Sequence, residues 1–324
     1  MTSAAAPSSL RARAAALGAA LPPLLAAADH LAASVAFGEH GRRRAGQGDE
    51  FWQYRQAHSG DAARAIDWRR SALGDVQYVR EREWQSAQSV SLWVDASASM
   101  SFTGDKSRPA KSDRAQLLAL ALASLLLRGG ERVGLMGDLA PPRPGRAQLE
   151  RLAAALLQNS IGDDRSGQAK RIAGYTLPPE TGEKRIENYP SAPDYGRPEV
   201  TGIAPHGRVV LISDFMGDLA GVEAAMAAAT DRGARGVLLQ VLDPAEETFP
   251  FDGRTIFTSM GGSLRFETLR AGDLRARYRA RLAERRDRLA QLARAAGWHL
   301  ASHDTGQGAQ PVLLWLYKAL EAAL

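Results

Sequence analysis

Two short apolar runs, each leading into an aspartate, constrain this chain most. Val90-Ser91-Leu92-Trp93-Val94 runs into Asp95, and Arg208-Val209-Val210-Leu211-Ile212 runs into Ser213-Asp214. Each is strand-length and rich in β-branched residues, the pattern of a strand buried on both faces. After the first, a loop reaches Lys111 and a helix opens at Ser112-Asp113, with Gln116 placed as in a capping box. That helix carries leucines on nearly every side, so burial is expected, and Gly129-Gly130 stops it. Further strands are predicted at 133–136, 236–242 and 298–302, and further helices at 147–158, 219–231, 273–296 and 311–324. Strand and helix alternating at this spacing predict an α/β fold: a doubly wound, mostly parallel sheet flanked by helices.

At 324 residues and 45% hydrophobic, the chain can bury one large core or two smaller ones. The expected organisation is an N-terminal part, 1–88, followed by an α/β domain over 89–324. Residues 14–36 are helical in pattern and expected to break at Pro22-Pro23. Residues 37–88 are rich in Gly, Arg, Asp and aromatics, which suggests short strands and turns. Residues 159–206 hold many prolines and charges and few aliphatics, and are expected to be a flexible insertion. The absence of cysteine removes disulfides, thiol nucleophiles and thiolate metal sites, and fits the cytoplasm. Arg11 and Arg13 before an alanine- and leucine-rich run loosely resemble a signal peptide, but Pro22-Pro23 and the arginines beyond favour a packed helix. The most apolar segment, 117–127, falls well short of the roughly 20 residues a membrane span needs, so no membrane insertion is expected. Net charge is only +5, and no basic run is interleaved with aromatics, so no nucleic-acid partner is expected. The arginine face of the 273–296 helix keeps polyanion binding as an alternative.

In doubly wound sheets, ligands bind beyond the carboxyl ends of the strands, near the reversal of strand order. Asp95, Ser97 and Ser99 from one tight loop, faced by Asp214, would make an all-oxygen cluster of the kind hard cations such as Mg²⁺ prefer. D-x-S-x-S after an apolar strand resembles the metal-ion-dependent adhesion motif of von Willebrand A-type domains. That resemblance implies a binding module, with Asp95, Ser97, Ser99 and Asp214 as its metal residues. Such domains add a threonine from another loop. The matching segment here, 141–146, reads Pro-Pro-Arg-Pro-Gly-Arg, with no Thr or Ser, and Arg143 or Arg146 could bring positive charge instead. On the residues alone, a bound ion and no ion are both open. Equally open is a plain turn in which Ser97 and Ser99 cap backbone groups.

Upstream, Gly46-x-Gly48-x-Glu50-Phe51 is followed by Arg55, Gly60-Asp61, Arg64, Ile66-Asp67-Trp68, Ser71-Ala72 and Val79-Arg80-Glu81. This series closely resembles the bacterial family called domain of unknown function fifty-eight, and the likeness covers nearly the whole chain except 159–206. The resemblance implies a von Willebrand A-type partner of MoxR-class AAA+ ATPases, acting on the ATPase or its client protein. Arg55, Asp61, Arg64 and Asp67 are expected to form an ion-pair network anchored by Trp68, or else a polar surface for the partner.

Enzyme readings find little support. There is no G-x-x-x-x-G-K-[ST] loop, Gly46-Gln47-Gly48 lacks the third glycine of a dinucleotide loop, and no G-x-S-x-G elbow occurs. No nucleotide cofactor and no catalytic residue is therefore expected. His299 and His303 on a strand would stand about 13 Å apart, too far to share one ion. A metal-dependent hydrolase using the Asp95 cluster is the alternative, but no general base stands beside it in the sequence.

Overall fold

The computed structural model describes residues 7–35, 45–58, 61–72, 74, 76–83, 87–161, 194–262 and 265–322. In chain order the elements are α1 (Pro7–Val35), β1 (Ala45–Gln56), α2 (Trp68–Ser71), β2 (Tyr78–Glu83), β3 (Ser89–Val94), α3 (Lys111–Arg128), β4 (Arg132–Leu135), α4 (Arg146–Ile161) and β5 (Arg208–Ser213). They continue with α5 (Ala220–Asp231), β6 (Arg235–Leu242), α6 (Pro244–Thr248), β7 (Thr255–Thr258), β8 (Arg265–Thr268), α7 (Ala271–Ala295), β9 (His299–Asp304) and α8 (Ala309–Ala322). Two compact units result: Gly38–Gln88 forms one, and α1 joins everything from β3 onward in the other.

The larger unit is built on a five-stranded sheet in the order β4-β3-β5-β6-β9, with every neighbouring pair parallel. The chain leaves β3 toward β4 on one side and later returns to β5 on the other. The strand order therefore reverses between β3 and β5, whose carboxyl ends lead into Asp95 and Asp214. Along β5, Val210 and Ile212 face a core shared with α1, α3, α4 and α8, while Val209 and Leu211 face α5 and α7. Successive strand side chains point to opposite faces, so a strand covered by helices on both sides must be apolar throughout. The five sheet strands and their helices lie within a few residues of where sequence periodicity places them.

Three local expectations are corrected. Helix α1 runs through Pro22 and Pro23 without a break. Each proline removes a backbone donor, but burial of Ala28 and Ala32, with Leu24, Leu25 and Leu31 packed beside them, outweighs that loss. This packing also puts α1 with the sheet, not with the segment up to residue 88. Helix α3 starts at Lys111, because Asp113 reaches back to accept from the Ala110 N–H at 3.3 Å. Of the expected insertion, 162–193 lies outside the described residues, whereas 194–206 is packed: Ile203 is buried and the Gly202 carbonyl accepts from Ser91 Oγ at 2.8 Å. Composition hid that segment because glycine and proline there serve close packing. The short helix α6 and the antiparallel pair β7–β8 also went unforeseen. Among the described residues, no helix is long and apolar enough to cross a membrane.

In the smaller unit β1 and β2 pair antiparallel, and the register is interrupted between Gly46 and Phe51. Arg55 grips Asp61 through both guanidinium nitrogens at 2.7 and 2.6 Å, and His58 N–H adds a third bond at 2.7 Å. The Arg55 bonds, then the His58 one, hold the Asp61 carboxyl well below the usual range. Asp67 caps α2 through the Arg69 and Arg70 N–H groups and accepts from Tyr54 Oη at 3.1 Å. Trp68 is 58% exposed, so it is not the apolar anchor expected of it. The anchoring falls to the bidentate pair and the cap.

On β9, His303 is buried and its Nε2 lies 2.9 Å from Arg114 Nη1. Arginine can only donate, so Nε2 carries the lone pair and the ring is neutral. Burial, then the Arg114 charge, lowers the His303 pKa to about 4 from its usual 6.5. A depressed folded-state value means that stability is present above pH 6.5 and lost as pH falls toward 4. Denaturant midpoints measured across that window should fall with acidification, and His303→Gln should flatten the decline; an equal decline in the variant would refute the assignment.

Candidate functional site

The site forms where β3 and β5 end side by side, with Asp95 N–H donating to the Ile212 carbonyl at 2.9 Å. Asp95 is 2% exposed, and both of its oxygens are engaged: Oδ1 by Ser97 N–H at 2.8 Å and Oδ2 by Ser213 Oγ at 2.6 Å. Ser97 and Ser99 are also buried, their hydroxyls 3.3 Å apart. After Asp214 the chain turns through Phe215, whose φ of 52° is left-handed. That turn brings Met216 N–H to Asp214 Oδ1 at 3.0 Å. The sheet thus brings together the four residues picked out in the sequence, Asp95, Ser97, Ser99 and Asp214.

It also brings a fifth group that sequence reasoning missed. Lys111, at the first turn of α3, is fully buried, and its Nζ lies 2.8 Å from Asp214 Oδ2 and 2.6 Å from Glu246 Oε1. Glu246 comes from α6, where Asp243-Pro244-Ala245-Glu246 forms a capping box: Glu246 Oε2 accepts from Asp243 N–H at 2.9 Å and Asp243 Oδ1 from Ala245 N–H at 2.8 Å. Positive charge thus reaches the site from Lys111. Arg143 is bridged to Val133 within β4 at the sheet's edge. The capping box was legible in the sequence and would have located α6. Lys111 left a fainter trace, as one of the few lysines in an arginine-rich chain.

Electrostatics follow from burial. Removal from water pushes the Asp95 pKa up, the nearby Asp214 charge pushes it further, and the Ser213 and Ser97 bonds oppose both. Burial raises Glu246 to about 7 against the pull of Lys111. For Lys111, burial alone would lower the value, but Asp214 and Glu246 override it and hold it above the ordinary lysine range. Asp95 and Glu246 thus resist ionisation, whereas the Lys111 ammonium stays charged.

The chain's own backbone lies across the cluster. Asp194 C=O accepts from Ser99 N–H at 3.0 Å. Gly196 sits so close that a Cβ there would stand 2.2 Å from Asp95 Oδ1. Gly217 gives the same room to Tyr195, since a Cβ there would fall 2.5 Å from the Tyr195 Cβ. Beside Asp95, a cleft of about 300 Å³ opens between Leu135, Met136, Leu156, Asn159, Arg197 and Glu199. Among the described residues, no group of three or more His, Cys, Asp or Glu side chains is arranged to hold a metal ion.

Comparison with known proteins gives one family. The model described as "Protein of unknown function DUF58" matches residues 53–288, which span the Arg55–Asp61 pair, the Asp95 loop, Lys111, Asp214 and Glu246. No curated protein matches. Among solved structures, the chain is similar to an aerotolerance-related membrane protein from Bacteroides fragilis NCTC 9343, a crystal structure with multiple mutations to serines. Identity is 17% over 73% of this chain and 100% of that one, and the TM-score of 0.37 is too low to inform the fold. With the family match extending over most of its length, the chain belongs to the DUF58 family of unknown function.

Proposed function

We propose that this chain is a non-enzymatic interaction module of von Willebrand A type. It acts in the cytoplasm and docks a MoxR-class AAA+ ATPase, or that ATPase's client, through the carboxyl edge of its parallel sheet. One observation carries the reading: the carboxylates at the strand-order reversal are buried and hydrogen-bonded by the chain itself. A reactive carboxylate needs an open approach and a free oxygen. A buried cluster instead makes a rigid base for the loops around it, which is what a docking surface requires. Those loops present exposed Lys106 and Arg197 at their rim. DUF58 membership and the D-x-S-x-S loop support the same reading.

The test is reconstitution from purified components. Wild type should form a complex with a purified MoxR-class ATPase from the same organism, measured by calorimetry. Lys106→Glu combined with Arg197→Glu should weaken the complex at least roughly tenfold while leaving Tm unchanged, because rim charges act on association more than on folding. Absence of a wild-type complex, or equal affinity in the double variant, would sink the proposal.

A further inference from the structure

The adhesion-like motif implies a divalent cation, and the residues present do not fit one. Asp214 Oδ2 is taken by Lys111 Nζ at 2.8 Å, and its Oδ1 by Met216 N–H at 3.0 Å. Both Asp95 oxygens are bonded within the chain, and Gly196 is pressed against Oδ1. No threonine is supplied by 141–146. A divalent ion keeping its waters needs space and uncompensated negative charge. Here Gly196 backbone presses on one side of Asp95, and the Asp214 and Glu246 carboxylates are met by an ammonium.

We infer that the Lys111 ammonium is a built-in replacement for the metal ion. It ties the end of β5 to α6 through Asp214 and Glu246, and the site takes no divalent cation. An ammonium presents three donors, and two of them are spent on carboxylates. Unlike a metal, it is covalently part of α3, so the loops at this edge are ordered without regard to free Mg²⁺. The inference concerns the cluster itself and holds whether or not that edge docks a partner.

Titration of millimolar Mg²⁺ and Mn²⁺ into the wild-type chain, followed by calorimetry and by Mn²⁺ electron paramagnetic resonance, tests it. No saturable binding is expected, and neither Mg²⁺ nor EDTA should move Tm. Saturable binding that Asp95→Ala abolishes would overturn the inference. The second arm is a thermal comparison. Lys111→Met should lower Tm by roughly 10 °C, and adding Glu246→Gln should recover part of the loss, because the second change removes a carboxylate left unpaired by the first. Equal or additive losses in the double variant would count against a charge-balancing role. Should Lys111→Met fail to fold, the wild-type titration still decides.

Discussion

Lys111→Met is expected to destabilise the sheet unit by about 3–5 kcal/mol, the range for removing one partner of a buried ion pair. The cost comes from what stays behind. Asp214 and Glu246 are 1% and 0% exposed, so neither can recover its hydration when the ammonium goes. Methionine fills similar volume, which keeps cavity formation out of the measurement. The pH dependence identifies the cause. Burial already raises the Glu246 pKa to about 7, and without the pull of Lys111 it lies further above its unfolded value. The variant's stability is then greatest below the unfolded value and is lost as pH rises through the folded one. Urea denaturation should show the deficit against wild type shrinking as pH falls from 8 toward 5. A deficit independent of pH would assign the loss to packing instead.

Gly196→Ala should cost about 1–3 kcal/mol, as expected for forcing atoms into a filled site. The new methyl would stand 2.2 Å from Asp95 Oδ1 and 2.6 Å from its Cγ, so the 194–197 segment or Asp95 must move. Moving Asp95 disturbs its bonds to Ser97 and Ser213, and moving the segment loses the Ser99–Asp194 bond. Gly221→Ala is the control. The atoms nearest a Cβ there belong to Arg197, at 3.3 Å and beyond, and alanine is the better helix former within α5. Denaturation midpoints should fall for Gly196→Ala and hold or rise for Gly221→Ala. Equal behaviour of the two would show that the close approach of Gly196 to Asp95 does not require glycine.

What could be seen in the sequence is what local pattern encodes. An apolar β-rich run buries both faces as a central strand, and alternation with helices makes that strand parallel, so β3, β5 and β6 were visible, and with them the α/β class. Asp95 and Asp214 were visible because each lies just beyond such a run, where parallel sheets gather their polar groups. Ser97 and Ser99 followed from spacing within one loop.

The identity of the cation and the closure of the site came only from the folded chain. Lys111 is 103 residues from Asp214 and 135 from Glu246, and nothing in its immediate sequence sets it apart from a solvated lysine at a helix start. Whether an ammonium is buried depends on which carboxylates surround it, and that depends on strand order. Gly196 is similar: its lack of a side chain matters only because Asp95 lies beneath it. Periodicity is a property of neighbours along the chain, whereas charge balance and steric closure are properties of neighbours in space. The aspartates at the strand ends could therefore be located from the sequence, and their partner could not.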